Sequence, residues 1–293
     1  MLFRSLYVAA ILIGLALHGA SIMATTQPQL FEEIQLGMPM DSLALLGLGL
    51  WLPALIGIIL LLPPVRRLAA RLIPIDAANP VHGIALAFSV LVAVNLLFTL
   101  GIGLSNLADV LAEQEAAGIT SNTMLSLWVQ QIFTALLGMI GVGWLIRRGT
   151  RATLERLGIV VPSFGQLLFG LLLGLGMVPV IMAIEWLTSY LEVGIDPSVA
   201  KLTEQLLGPL FDTPFGIVTI GLAAALGEET IFRGAMQPRF GLLFTALLFA
   251  LVHSNYGLTL STLFVFLLGL VLGMVRIRAN TTTAMITHAV YNM

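Results

Sequence analysis

The segment Gly-Glu-Glu-Thr-Ile-Phe-Arg-Gly at residues 227–234 decides how this chain is interpreted, because it places three charges directly after residues 215–226, which carry none. A charged side chain costs about 2.5–3.5 kcal/mol at the centre of a membrane helix, so such residues usually mark a functional site. Glu229 and Arg233 are four residues apart and are expected to pair on one helix face. Glu228 is rotated by about 100° from Glu229, so we expect its carboxylate to point into a cavity and act in chemistry.

The composition predicts an all-α polytopic membrane helix bundle. Of the 293 residues, 58% are hydrophobic and 10% are charged, and the mean hydropathy is +1.03. Soluble domains carry about 25% charged residues. The chain has no cysteine, which excludes a disulfide framework and thiol catalysis. A net charge of −2 gives no reason to expect a nucleic-acid partner, so the lipid bilayer is the expected surrounding.

Apolar runs predict eight or nine transmembrane helices. They lie at about 5–24, 43–62, 82–104, 124–146, 164–187, 214–232, 240–256, 259–275 and 280–292. The last run is short and the run at 240–256 is marginal. The first run is longer than the apolar region of a signal peptide, so we interpret it as a retained span.

The distribution of basic residues predicts a cytoplasmic N-terminus. The arginines precede the first span or follow an even-numbered one, whereas Lys201 is the single base in the remaining loops. The arginines concerned are Arg4, Arg66, Arg67, Arg71, Arg147, Arg148, Arg151, Arg156, Arg239, Arg276 and Arg278. This orientation places the acidic segment toward the cytoplasmic half of its span. The predicted location is a bacterial inner membrane.

Two further patterns place imidazoles on helices near the end of the chain. Phe249-Ala-Leu-Val-His253 and His288-Ala-Val-Tyr-Asn292 each put two side chains one turn apart on one face. Ordinary packing explains Phe249 by itself, and His18, alone in the first span, is interpreted as a packed residue. Carboxylates, imidazoles and a carboxamide are the groups that a hydrolase needs as general base, water-holding group and oxyanion donors.

Together, the three patterns resemble, in order, the EExxxR, FxxxH and HxxxN motifs of the CPBP intramembrane proteases (the Abi family), which include CAAX prenyl endopeptidases and bacteriocin-processing enzymes. The resemblance covers about residues 160–293. It implies a protease domain at 161–293, preceded by a four-span membrane region at 1–160 without a recognised motif.

The family resemblance also implies a role for each motif residue. Glu228 would activate water, and His253 would help to hold that water. His288 and Asn292 would stabilise the oxyanion. Structural support would come from Glu229, Arg233 and Phe249.

The same residues leave the metal dependence open. The spacing differs from the helical His-Glu-x-x-His of zinc enzymes, and a water held by glutamate and histidine requires no cofactor. We expect active protein to carry no stoichiometric zinc. A zinc ion bound by Glu228, His253 and His288 is nevertheless compatible with zinc stereochemistry.

The leading hypothesis is an intramembrane endopeptidase, of glutamic or metallo type, that cleaves a peptide or a membrane-protein substrate from the cytoplasmic side. The first alternative is a non-catalytic scaffold of the same fold or a membrane protein of the bacteriocin-immunity type. The second is a proton-coupled transporter, which is ranked last because the sequence has no inverted repeat. The chain does not identify the substrate, whether it is prenylated, or the oligomeric state.

Overall fold

The structure is a computed structural model that describes residues 2–27, 40–88, 123–190, 204–205, 207–253 and 260–293. Every long regular element in these ranges is helical, which confirms the predicted all-α class. The helices are α1 (Leu2–Thr26), α2 (Met40–Leu60), α3 (Pro63–Ala69), α4 (Pro80–Phe88), α5 (Thr123–Gly141), α6 (Thr150–Leu157), α7 (Phe164–Tyr190), α8 (Pro214–Glu228), a π-helical segment (Glu229–Met236), α9 (Gln237–Phe240), α10 (Leu242–Val252), α11 (Leu260–Arg278) and α12 (Thr281–Asn292).

By length and composition, four described helices can cross a membrane, or five if one bent pair counts as a span. The four are residues 7–26, 123–141, 164–190 and 214–240, and the bent pair is 46–60 with 63–69. The predicted count of eight or nine is therefore not confirmed. The run at 82–104 lies mostly outside the described residues. The helices α10 and α12 have 11 and 12 residues, which is too short for a bilayer core of about 30 Å.

The chain forms two compact units. The first comprises the described residues within 1–110 and 251–258. Its helices α1 and α2 pack closely, since a Cβ on Gly14 would lie 2.7 Å from the Gly47 carbonyl oxygen. His18 of α1 packs against α2, with Nδ1 3.2 Å from the Ala44 carbonyl oxygen, as expected for a packed histidine. The second unit comprises the described residues within 111–250 and 259–293. The predicted domain boundary at 160/161 stays a prediction.

In the second unit, α8 packs against α5 and α12 through small side chains. The helix begins at Thr213, whose Oγ1 accepts a hydrogen bond from the Gly216 N–H at 3.0 Å. Its buried residues are Gly216, Thr219, Ile220, Gly221, Ala223, Ala224, Ala225 and Gly227. Small residues let helix backbones approach in a membrane, so the end of α8, which carries the acidic pair, lies between two neighbouring helices.

Candidate active site

The acidic motif lies at a change in helix type. The chain is α-helical to Glu228 and π-helical from Glu229 to Met236. The sequence analysis assumed ordinary helical spacing here, and nothing in the sequence indicated the wider turn. π-helical turns are rare and occur often at functional sites. A π turn is only slightly longer than an α turn, so residues four apart still lie close together on its surface.

The core of the site is Glu229, whose carboxylate contacts both Arg233 and His288. Its Oε1 lies 3.0 Å from Arg233 Nη1, which confirms the predicted pair, and 2.7 Å from His288 Nδ1. Glu229 and Arg233 are 0% and 1% exposed. The Arg233 contact has the length of an ion pair without the alignment of a hydrogen bond. Removing one member of such a buried pair is costly, because the other charge is left uncompensated.

The contact with Glu229 determines how the His288 ring is used. An ionised carboxylate only accepts hydrogen bonds, so His288 Nδ1–H donates to Glu229 Oε1. This hydrogen bond fixes the orientation of the imidazole, much as a carboxylate orients a metal-ligating or catalytic histidine. The second ring nitrogen, Nε2, is the one left for chemistry.

Aromatic rings enclose these charges on one side. The Arg233 Cζ atom lies 4.1 Å from the ring centroid of Phe249, at the distance of a cation–π interaction. The Phe249 ring also contacts Phe232 and His288 edge to face, with centroids 5.2 Å and 6.3 Å apart. Tyr291 stacks on the His288 ring at 5.3 Å. Phe249 therefore packs directly against the polar core, where the sequence analysis had placed it as structural support.

Glu228 points away from this core toward α5. It is half-buried, and its Oε1 accepts a hydrogen bond from Gln131 Nε2 at 3.5 Å. Gln131 is buried and was missed by the sequence analysis, which found no motif in the run at 124–146. The available signal was the carboxamide pair Gln130-Gln131 in the middle of an apolar run. The two adjacent glutamates thus have different surroundings, as their predicted rotation about the helix implied.

The contact between α5 and α8 predicts that Gly227→Ala disturbs the site. A Cβ at Gly227 would overlap the Gln131 side chain and lie 2.7 Å from its carbonyl oxygen. We expect a loss of about 1–3 kcal/mol in unfolding free energy, as for overpacked cores. The control is Gly176→Ala on α7, where nothing lies within 4 Å of an added Cβ. Thermal unfolding of both variants in detergent checks the prediction, and equal melting temperatures would contradict it.

The two remaining candidate residues have different placements. Asn292 is half-buried at the end of α12, one helical turn after the buried His288. His253 is half-buried directly after α10 and belongs to the first unit, together with the other residues of 251–258. Its predicted position beside Glu228 therefore stays a prediction.

A zinc site needs three protein ligands that lie around one point. Among the residues that the structure describes, no three His, Asp or Glu side chains come together as metal ligands would. His288 Nδ1 is already bonded to Glu229, so its Nε2 is the ring nitrogen that remains for a ligand role. We derive no catalytic step through zinc, and the predicted ligand set Glu228, His253 and His288 stays a prediction.

One protein family is similar to the C-terminal part of this chain. Residues 210–293 match the family model described as Type II CAAX prenyl endopeptidase Rce1-like. This match includes all three motifs, so residues 210–293 are similar to the CAAX protease family that the motifs predict.

A curated relative is also similar to this chain. A protein of Escherichia coli described as an uncharacterized 24.3 kDa protein is 34% identical over 114 residues, which cover 36% of this chain and 52% of that protein. The chain thus spans about half the length of the curated relative that it matches. No solved structure matches the chain.

Proposed function

We propose that the protein is an intramembrane endopeptidase that hydrolyses a peptide bond with a water molecule activated by Glu228. The observation that carries this proposal is the buried contact of 2.7 Å between Glu229, which lies in a membrane-length apolar helix, and His288 of α12, within the region that matches the prenyl endopeptidase family. A buried acid, an oriented imidazole and a second carboxylate are costly in a membrane, so their presence together indicates a functional site.

Glu228 is the proposed general base. Its hydrogen bond from Gln131 holds one carboxylate oxygen in position and leaves the group able to take a proton. His253 would hold the attacking water, and His288 with Asn292 would donate hydrogen bonds to the tetrahedral oxyanion. The support for the His288 role is that Glu229 orients its ring.

The proposed roles require a particular set of charges at the site. To donate from Nε2 while Nδ1–H bonds to Glu229, the His288 ring must carry two protons and a positive charge. Glu228 and Glu229 then balance Arg233 and His288. When Glu228 takes the proton of water, the new negative charge appears on the oxyanion, so the sum stays zero. A constant net charge limits the desolvation cost of the reaction in a low-dielectric site.

The membrane arrangement belongs to the same proposal. We propose a cytoplasmic N-terminus and a bacterial inner-membrane location, which follow from the arginine distribution along the apolar chain. The site would then lie toward the cytoplasmic side and act on a peptide or a membrane-protein substrate.

Cleavage of a quenched peptide library by the purified full-length chain tests the function. The library should contain unmodified peptides and the same peptides with a prenylated cysteine that is followed by three C-terminal residues. We expect cleavage by the unaltered protein and none by its Glu228→Gln variant. Absence of cleavage of both peptide sets, in detergent and in liposomes, would contradict the proposal. Elemental analysis of the active preparation decides the zinc question.

Asn292→Ala tests the oxyanion role separately. We expect the rate of cleavage to fall about 10²–10³-fold, the usual loss of one oxyanion donor. The folded state should persist because Asn292 is the last residue of α12 and is half-buried. The measurement is kcat at saturating peptide together with the melting temperature. A variant that loses affinity for the peptide at an unchanged kcat would argue for substrate binding instead.

A further inference from the structure

Five arginines gather where α5 ends. Two belong to the turn between α5 and α6, and the others come from α6, α9 and α11; they are Arg147, Arg148, Arg156, Arg239 and Arg276. Three of them donate to main-chain carbonyls: Arg148 to Val142, Arg239 to Gly141 at 3.5 Å, and Arg276 to Arg233 at 3.2 Å. These bonds hold several guanidinium groups around one end of α5.

The five positive charges are close enough to repel one another. Burial lowers the pKa of Arg156, and the charges of Arg239, Arg148, Arg276 and Arg147 lower it further. Within the described part of the chain, none of the five forms an ion pair with a carboxylate. The one acid of α6, Glu155, pairs instead with the exposed Arg151 at 3.0 Å. The cluster therefore lacks a counter-charge from the described residues.

A cavity opens beside this cluster. It measures about 340 Å³ and is lined by residues 144–150, including Arg147 and Arg148. The neighbouring side chains Leu145 and Ile146 are 77% and 80% exposed, so they leave an apolar surface directly beside the arginines. Leu145 also has φ +62°, a left-handed conformation that is uncommon for such a residue and recurs at functional sites.

We propose that the five-arginine cluster and the cavity beside it bind the phosphate of an anionic phospholipid. Leu145 and Ile146 would then lie among the acyl chains of that lipid. Guanidinium groups bind phosphate oxygens through two parallel hydrogen bonds. Free phosphate offers the same oxygens. A lipid in addition covers the two exposed apolar side chains and provides the missing negative charge at the surface where a membrane helix ends.

The test compares lipids bound to the full-length protein in neutral detergent. The probes are dioleoylphosphatidylglycerol, dioleoylphosphatidylcholine and inorganic phosphate, and the readout is the dissociation constant from native mass spectrometry. The first variant is Arg147→Gln, since Arg147 is exposed and its side chain makes no hydrogen bond or ion pair with the described residues. The matched control is Arg151→Gln, which removes the same charge from a side chain that is 93% exposed.

We expect phosphatidylglycerol to bind more tightly than phosphatidylcholine. Each arginine near a membrane surface contributes about 1 kcal/mol, so Arg147→Gln should weaken phosphatidylglycerol about fivefold and the double variant Arg147→Gln/Arg156→Gln about 25-fold. The control Arg151→Gln should bind both lipids as the unaltered protein does. Equal weakening in the control, or equal affinity for the two lipids, would overturn the proposal. So would inorganic phosphate binding that depends on Arg147 when phosphatidylglycerol binding does not.

Discussion

Replacing Glu228 by glutamine is expected to reduce the rate of peptide cleavage about 10²–10⁴-fold, which is the usual contribution of a general base. The amide has nearly the same volume, and its oxygen can still accept the hydrogen bond from Gln131 that the carboxylate accepts at 3.5 Å. It cannot take a proton from water. We therefore expect the melting temperature to stay close to that of the unaltered protein while kcat falls.

The matched control for this change is Glu155→Gln. Glu155 lies on α6 in the same unit, and its side chain is 58% exposed in a surface pair with Arg151. Its replacement removes one carboxylate without touching the site, so cleavage should be unchanged. Residual cleavage by Glu228→Gln within tenfold of the unaltered rate would contradict the general-base role. If the Glu228→Gln variant is unfolded at 25 °C, the role of Glu228 is to stabilise the fold.

Glu229→Gln has the second large expected effect, which is on stability. The change leaves Arg233 without a counter-charge and removes the ionised acceptor of His288 Nδ1–H. Breaking a buried pair in this way costs about 3–5 kcal/mol of unfolding free energy. Denaturation of the purified protein in mixed detergent measures it. We also expect cleavage to fall, since the imidazole loses the group that orients it.

Two comparisons isolate the buried pair. Glu155→Gln breaks a surface pair of the same i,i+4 type and should cost about 0.5 kcal/mol or less. The double variant Glu229→Gln/Arg233→Met removes the uncompensated charge and should regain part of the lost stability without regaining activity. If Glu229→Gln is as stable as Glu155→Gln and also inactive, while Glu228→Gln is unstable, the two glutamates have exchanged roles.

Local sequence features predicted the class of the protein and one contact of its polar core, the pair of Glu229 and Arg233. Composition and long apolar runs indicated a helical membrane protein, because soluble domains carry about 25% charged residues and this chain carries 10%. The spacing of Glu229 and Arg233 predicted their contact, since residues four apart meet on almost any helix. The order of three short motifs predicted the family that the match over residues 210–293 supports.

The remaining contacts depend on the packing of helices that are far apart in the sequence. His288 meets Glu229 across 59 residues, and Gln131 meets Glu228 across 97. No local pattern specifies such contacts, because they depend on which small residues let α5 and α12 approach α8. The π-helical turn and the gathering of five arginines at the end of α5 depend on tertiary structure in the same way. Sequence alone therefore identified the two glutamates, the arginine and the histidine, while packing brought Gln131 to the site and decided which carboxylate orients the histidine and which one faces the glutamine.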